Sequence, residues 1–317
     1  MSAAAARRRK QKAKQKAVSS TDNLDDRVSS LLSSTDTPSH YEALQLLSSN
    51  THRLLKAGNV SKALETAQKG TVTLLKYKRV EIASQLGGTY VEALRDTRTQ
   101  ETKEVADAIN EIHEGYKGCY DPSKKEDAKK TEYHLTFLKS ALKYSSALGT
   151  THLGSLSLHF SVGSIMWDSS DRVGGCVHFA LAEQPGEIIS RLFSAEAQVE
   201  IGERERDAIF MMAGLNFVVL ENFRDATKMA ISYKIKMGEI KDSEPQRPAV
   251  FLLWMLEILK REKAGRLYQW LVNEFKELQM LNNGIPQLLQ RIGKTYFGLQ
   301  PPPNMMNMLE QMMGGGM

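Results

Sequence analysis

The stretch YEALQLLSSNTHRLLKAGNVSKALETAQKGTVTLLK, residues Tyr41 to Lys76, decides the fold. In its first half Leu44, Leu47, Leu54 and Leu55 recur on one face of a 3.6-residue period. Gly58 supplies the backbone freedom that a helix C-terminus needs, and Ser61 is the expected N-cap of the helix that follows. In the second half Ala63, Leu64, Ala67, Gly70, Leu74 and Leu75 form a matching stripe, with small members that let two helix axes approach closely. One such hairpin cannot bury its apolar faces alone. It requires further copies stacked beside it.

The rest of the chain supplies them. A second pair is expected over Val80 to Tyr116, with Ile82, Leu86, Tyr90 and Leu94 inward on one helix and Val105, Ala108, Ile109 and Ile112 on the other. Asp121-Pro122-Ser123 reads as a turn, and Ser123 with Glu126 matches a capping box. The helix it opens runs to about Ala147, with Leu135, Leu138 and Leu142 inward, and stops at Gly149. Leu153 to Trp167 and Cys176 to Leu181 continue the series, then Ile188 to Val199 paired with Asp207 to Leu220. The last of these is apolar almost all round, which predicts burial on several sides in the middle of the stack. Phe223 to Met237, a polar loop over Gly238 to Pro248, Val250 to Lys260, Leu267 to Leu278 and Ile285 to Tyr296 complete the body. The units recur every 35–40 residues or so, the spacing of helical-hairpin repeats. The expected fold is all-α: a right-handed α-solenoid of six to seven degenerate hairpins resembling tetratricopeptide repeats.

Composition sets the limits of function. The 317 residues are 41% hydrophobic and 25% charged, with 9 prolines and 22 glycines, enough for a substantial core. The net charge is +5, yet Arg7, Arg8, Arg9, Lys10, Lys12, Lys14 and Lys16 carry seven positive charges; subtracting those seven from +5 leaves −2 for the rest. The basicity belongs to an N-terminal arm, which reads as a solvated tail, an import signal or an RNA contact. Residues 1–37 as a whole, basic and then Ser/Thr-rich, are expected to be disordered. Cys119 and Cys176 give no disulfide framework, no apolar segment follows the basic run, and Val250 to Leu259 is too short to span a bilayer. A cytosolic protein is expected.

Chemical motifs are few. The Gly293-Lys294-Thr295 tripeptide lacks the glycine a phosphate loop requires, because position 288 is Leu288. Cys176 and His178, with His152 and His159, fit no zinc spacing, so Cys176 reads as a small buried hydrophobe and His178 as an ordinary helix residue. No nucleophile sits in a known signature, which points to a protein that is not an enzyme and needs no cofactor or metal. Six of the 14 methionines, Met305, Met306, Met308, Met312, Met313 and Met317, lie in the terminal segment 299–317, either a greasy contact or a tail that docks back. The run Phe251, Leu252, Leu253, Trp254, Met255, Leu256, Ile258 and Leu259, followed by Tyr268 and Trp270, exceeds one buried stripe. It suits a groove for a partner.

Tyr41-Glu42-Ala43 through Lys78, the Ala141-Leu142-Lys143-Tyr144-Ser145-Ser146 helix, His178-Phe179, and Arg291-Ile292-Gly293 with Phe297-Gly298 occur in collinear order over residues 38–300. In these the chain resembles the α-solenoid adaptor subunit of the guided-entry pathway for tail-anchored membrane proteins. The resemblance implies a non-enzymatic scaffold. Residues 38–168 would dock the pathway's targeting ATPase through Tyr41, Glu42, Arg53 and Lys56. Residues 169–298 would hold a ubiquitin-like adaptor, which recruits a tetratricopeptide co-chaperone, through Phe251, Trp254, Met255, Ile258, Tyr268 and Trp270. An acidic regulatory position of the family falls near Gln85, and the loop Gly238 to Pro248 is short where the family carries a β-hairpin. No nucleic acid is expected on this reading. The rival reading, a solenoid bound to nucleic acid or ribonucleoprotein through its basic arm, predicts binding that disappears without residues 1–17 and falls steeply with salt.

Overall fold

The computed structural model describes residues 24, 26–34, 36–240 and 247–299, and among them every regular element is helical. Two compact units divide the chain between Ser155 and Leu156. The first contains α1 (Thr37–Lys56), α2 (Val60–Lys76), α3 (Val80–Asp96), α4 (Lys103–Lys117) and α5 (Ala128–Leu148). Helix α1 packs on α2, α2 on α3 and α4 on α5, and α1, α2 and α3 each also pack on the next but one, the wiring of a stacked array. The predicted stripes are the packed ones: Leu44, Leu47, Ala63, Ala67, Leu74, Leu75, Leu86, Tyr90 and Ile109 are all buried. Gly70 sits where α1, α2 and α3 meet. A Cβ there would lie 2.9 Å from methyl groups of both Leu47 and Leu86.

One turn is used again and again. After α2 the N–H of Lys78 bonds to Leu75 O and that of Arg79 to Leu74 O, with Lys78 left-handed at φ 58. The same pair of bonds closes on Gly58 (φ 73), Arg98 (φ 50), Ser170 (φ 73), Glu183 (φ 56) and Glu221 (φ 59). This Schellman-type closure satisfies the carbonyls at the end of one helix and, at every one of these turns but that of Arg98, starts the next helix two residues on. It also explains why Ser61 is not a cap. The turn launches α2 at Val60, with Asn59 in the N-cap position and no side-chain bond. A left-handed L-residue costs about 1–2 kcal/mol, so Arg98→Gly should raise the unfolding free energy by up to about 1 kcal/mol, less the extra entropy glycine gives the unfolded chain. Equilibrium denaturation checks the sign.

Two boundaries depart from the sequence reading. Residues 26–33 are helical rather than disordered, because Val28 and Leu32, four apart, are buried together. The expected capping box also does not form. The Ser123 hydroxyl donates to Asp121 Oδ1 at 2.7 Å, and a short 3-10 turn over Lys125–Asp127 delays α5 until Ala128. At its far end Tyr144 donates to Thr99 O at 2.9 Å and Ser145 to Glu101 at 2.5 Å. The KYSS portion of that helix thus ties α5 to the loop between α3 and α4.

The second unit contains α6 (Leu156–Asp168), α7 (Arg172–Leu181), α8 (Pro185–Leu192), α9 (Ala195–Glu200), α10 (Glu203–Val219), α11 (Phe223–Ile240), α12 (Arg247–Leu259), α13 (Gly265–Glu274) and α14 (Gly284–Phe297). The apolar helix α10 is its centre, packed by α7, α8, α11, α12 and α14. The single helix expected over Ile188 to Val199 is two, because Ser194 accepts the Ala197 N–H and caps a new start. The Gly174-Gly175 pair lies inside α7, whose cap is Asp171. Cys176 is a buried core residue, its thiol pushed up by desolvation. Helix α11 continues through Ile240 and α12 begins at Arg247, so residues 241–246 of the polar loop, like the N-terminal basic run and the methionine-rich end, lie outside the described residues.

Candidate functional site

The N-terminal candidates lie on one helix but not in one place. Tyr41 and Glu42 occupy the second turn of α1, and Arg53 and Lys56 its last turn. Fifteen residues of helix, about 22 Å, separate Tyr41 from Lys56. All four are exposed. The Tyr41 hydroxyl donates to Glu81 at 3.5 Å, Glu42 pairs with Arg27 at 2.9 Å, and Arg53 donates to Asn50 at 2.8 Å. Such exposed pairs add at most about 1 kcal/mol to stability, which leaves the groups free to meet another surface. Gln85 is exposed on α3.

The C-terminal candidates split by burial. Phe251, Met255 and Ile258 on α12 and Tyr268 on α13 are core residues. Tyr268 donates to Leu289 O, and burial raises its phenol pKa. Trp254 and Trp270 instead stand 46% and 49% exposed. Their rings stack, centroids 6.0 Å apart and planes 22° apart, and Phe275 backs Trp254 edge-on at 5.9 Å. Leu267, one turn before Trp270, is exposed too. Two large rings held rigid in water form the kind of apolar patch that marks an interface.

Two histidine pairs were not foreseen. His159 Nδ1 meets His178 Nδ1 at 2.9 Å, so His178 is no ordinary helix residue, and its neighbour is a ring from α6 rather than Cys176. In the first unit His113 Nδ1 lies 2.8 Å from His134 Nε2, Tyr120 OH is 2.7 Å from His134 Nδ1, and Tyr116 stacks on His134 at 4.4 Å. A single proton fits between the two rings, and a second would leave two donors facing each other. Desolvation, helped by the Lys117 charge, lowers His113 to about 4; desolvation and then His113 lower His134 to about 2. Both rings are therefore neutral when folded, and below pH 6.5 the unfolded chain binds more protons. Stability is complete above that pH and is lost as pH falls toward 4, with a slope approaching about 1.4 kcal/mol per pH unit for each ring. Urea titrations at pH 7.5, 6 and 5 should show it, and a pH-independent midpoint would contradict it.

A family model described as "GET4: Golgi to ER traffic protein 4" matches residues 57–316. The chain belongs to that family. "Protein GET4" of Arabidopsis thaliana is 26% identical over 300 residues, covering 87% of this chain and 91% of the relative. The "Golgi to ER traffic protein 4 homolog" of Dictyostelium discoideum is 20% identical over 283 residues, covering 88% and 86%. The crystal structure of "C. therm. Get4" shares the fold, with a TM-score of 0.71 at 18% identity over 93% of this chain and 94% of that one. Membership in the GET4 family connects the chain to Golgi to ER traffic, and the all-helical solenoid-like fold is that of Get4. Among the described residues no helix is long and apolar enough to cross a membrane.

Proposed function

We propose that this protein is a non-enzymatic cytosolic adaptor for delivery of tail-anchored proteins to the endoplasmic reticulum. Residues 38–168 dock the targeting ATPase, with Tyr41 and Glu42 at one end of α1 and Arg53 and Lys56 at the other. Residues 169–298 hold a ubiquitin-like adaptor, and through it a co-chaperone. The stacked, half-exposed Trp254 and Trp270 carry the second assignment. Tryptophans in a rigid patch are the commonest binding anchors, and truncating one typically costs 2 kcal/mol or more, about 30-fold in affinity. Phe251, Met255, Ile258 and Tyr268 support that patch from the core rather than touching the partner.

A tagged full-length chain, used as bait in cytosol at moderate salt, should retain both partners. Trp254→Ala with Trp270→Ala should lose the ubiquitin-like protein and keep the ATPase. Lys56→Glu should slow ATPase capture several-fold without affecting folding, since exposed charges act chiefly on association rate. Retention of both partners by all three substitutions would overturn the site assignments. Capture of nucleic acid alone, lost on deleting residues 1–17, would establish the rival reading.

A further inference from the structure

The second unit has a groove of about 470 Å³ between α13 and α14. Tyr268, Val272, Leu289 and Leu299 give it apolar walls, the amides of Gln269 and Gln290 share the lining, and none of the described residues that line it is charged. Tyr268 and Val272, four apart, lie on one side of α13, whereas Leu267 and Trp270, three apart, fall on the other. The groove is therefore separate from the tryptophan patch. The chain itself leads into it. Gly298 turns left-handed at φ 64, the N–H of Leu299 bonds to Gly293 O at 3.1 Å, and the Leu299 side chain lies over Gly265 and Gly293. The backbone leaves the body at the groove wall.

The sequence after Leu299 has the pattern of a helix suited to such a groove. Pro301, Pro302 and Pro303 favour an extended strut, Asn304 is a preferred N-cap residue, and Gly314, Gly315 and Gly316 end the run. Between them, at about 100° per residue, Met305, Met306, Met308, Leu309, Met312 and Met313 fall within an arc of about 160°. Asn304, Asn307, Glu310 and Gln311 take the rest of the circle. We infer that residues 304–313 of this chain dock in the groove as a short amphipathic helix with the methionines inward. The one charged side chain of the segment, Glu310, lies on the outer arc, which matches an uncharged groove. The strut from Gln300 to Pro303 spans about 12 Å and ten helical residues about 15 Å, enough to cover the two turns of α13 and of α14 that wall the groove. Flexible thioethers fill irregular apolar space. A tether this short gives an effective concentration of about millimolar, so a weak contact suffices. A second copy or a separate apolar peptide has no such tether at the groove wall.

Hydrogen–deuterium exchange of the full-length chain tests this. A helix of ten residues is marginal in water, so its amides exchange as fast as those of an unfolded chain unless it is docked. Amides of residues 306–313 should exchange about tenfold or more slowly in the parent than in the double variant Leu309→Asp with Met312→Asp. Val272→Asp, on the groove side, should remove the same protection. Gln269→Glu with Gln290→Glu should reduce it several-fold, and because both residues are exposed this pair keeps the test valid even if Val272→Asp disturbs the fold. Trp270→Gln, on the far side of α13, should leave it intact, and dilution should not change it. Exchange of the parent segment at unfolded-chain rates would overturn the inference, as would protection that survives the glutamate pair. Equal loss in Trp270→Gln would place the segment on the tryptophans instead. Protection that falls on dilution, with a dimer in light scattering, would make the occupant a second copy and overturn it too. The docking does not depend on which partner Trp254 and Trp270 take.

Discussion

Ala67→Glu should unfold the first unit. Ala67 is 0% exposed in the middle of α2, on the stripe that packs α1, α3 and α4. No acceptor-hungry group waits there: Thr71, one turn on, spends its hydroxyl on Ala67 O at 2.7 Å. A carboxylate placed at this point is buried without a counter-charge, at a cost of about 3–5 kcal/mol or more, a large fraction of what a domain has to lose. In a stacked array the damage spreads, because α2 contributes one wall to each of three neighbours. The measurable outcome is loss of part of the far-UV helical signal, with rapid proteolysis in residues 37–155 and survival of a fragment beginning near Leu156. Ala67→Ser, which adds one small polar atom, should remain folded. Wild-type melting of the glutamate variant would show that the predicted stripe does not face the core.

Gly175→Val should destabilise the second unit by about 3 kcal/mol, roughly 10 °C in melting temperature. Helices α6 and α7 cross so closely that a Cβ on Gly175 would sit 2.8 Å from Gly163 O and 3.0 Å from Trp167 N, and one on Gly163 would sit 3.0 Å from Gly175 O. These are backbone atoms on both sides. A side chain can enter only if the helices move apart, and the packing around Phe179 and Trp167 moves with them. Gly175→Ala should cost less, because alanine returns close to 1 kcal/mol of helix propensity against the clash. Calorimetry of both variants decides the matter. A valine variant that melts at or above the parent temperature would mean the helices do not approach at these glycines.

The period of the apolar residues was enough to place almost every helix, because burial stripes are written directly into residue spacing. Turns were harder. Gly58 announces its left-handed bend, but Lys78, Arg98, Ser170, Glu183 and Glu221 adopt the same conformation without the residue that would reveal it. The backbone hydrogen bonds at the helix ends impose it. The KYSS residues carry a family resemblance in the sequence, but their physical role, anchoring a distant loop through Tyr144 and Ser145, exists only in three dimensions. The binding candidates show a sharper limit. Spacing identified a segment too apolar for one stripe, but which members face water depends on the packing of α12 against α13, and that selected Trp254 and Trp270 while burying Tyr268. The histidine pairs join residues 21 and 19 positions apart, beyond the reach of any local pattern.

The central position of α10 has a consequence for how the chain is made. Its neighbours arrive in an awkward order: α7 and α8 precede it, α11 and α12 follow directly, but α14 comes last, and Tyr296 reaches back 78 residues to donate to Val218 O at 3.0 Å. At ribosomal speeds of about 5–20 residues per second, one face of this greasy helix waits several seconds for its cover to be translated. Nascent chains paused in that interval, or cut short within it, present the face of α10 that carries Met212 and Val218 to whatever is nearby. The adaptor role proposed above concerns proteins that must be shielded from water, and during its own synthesis this chain has the same need.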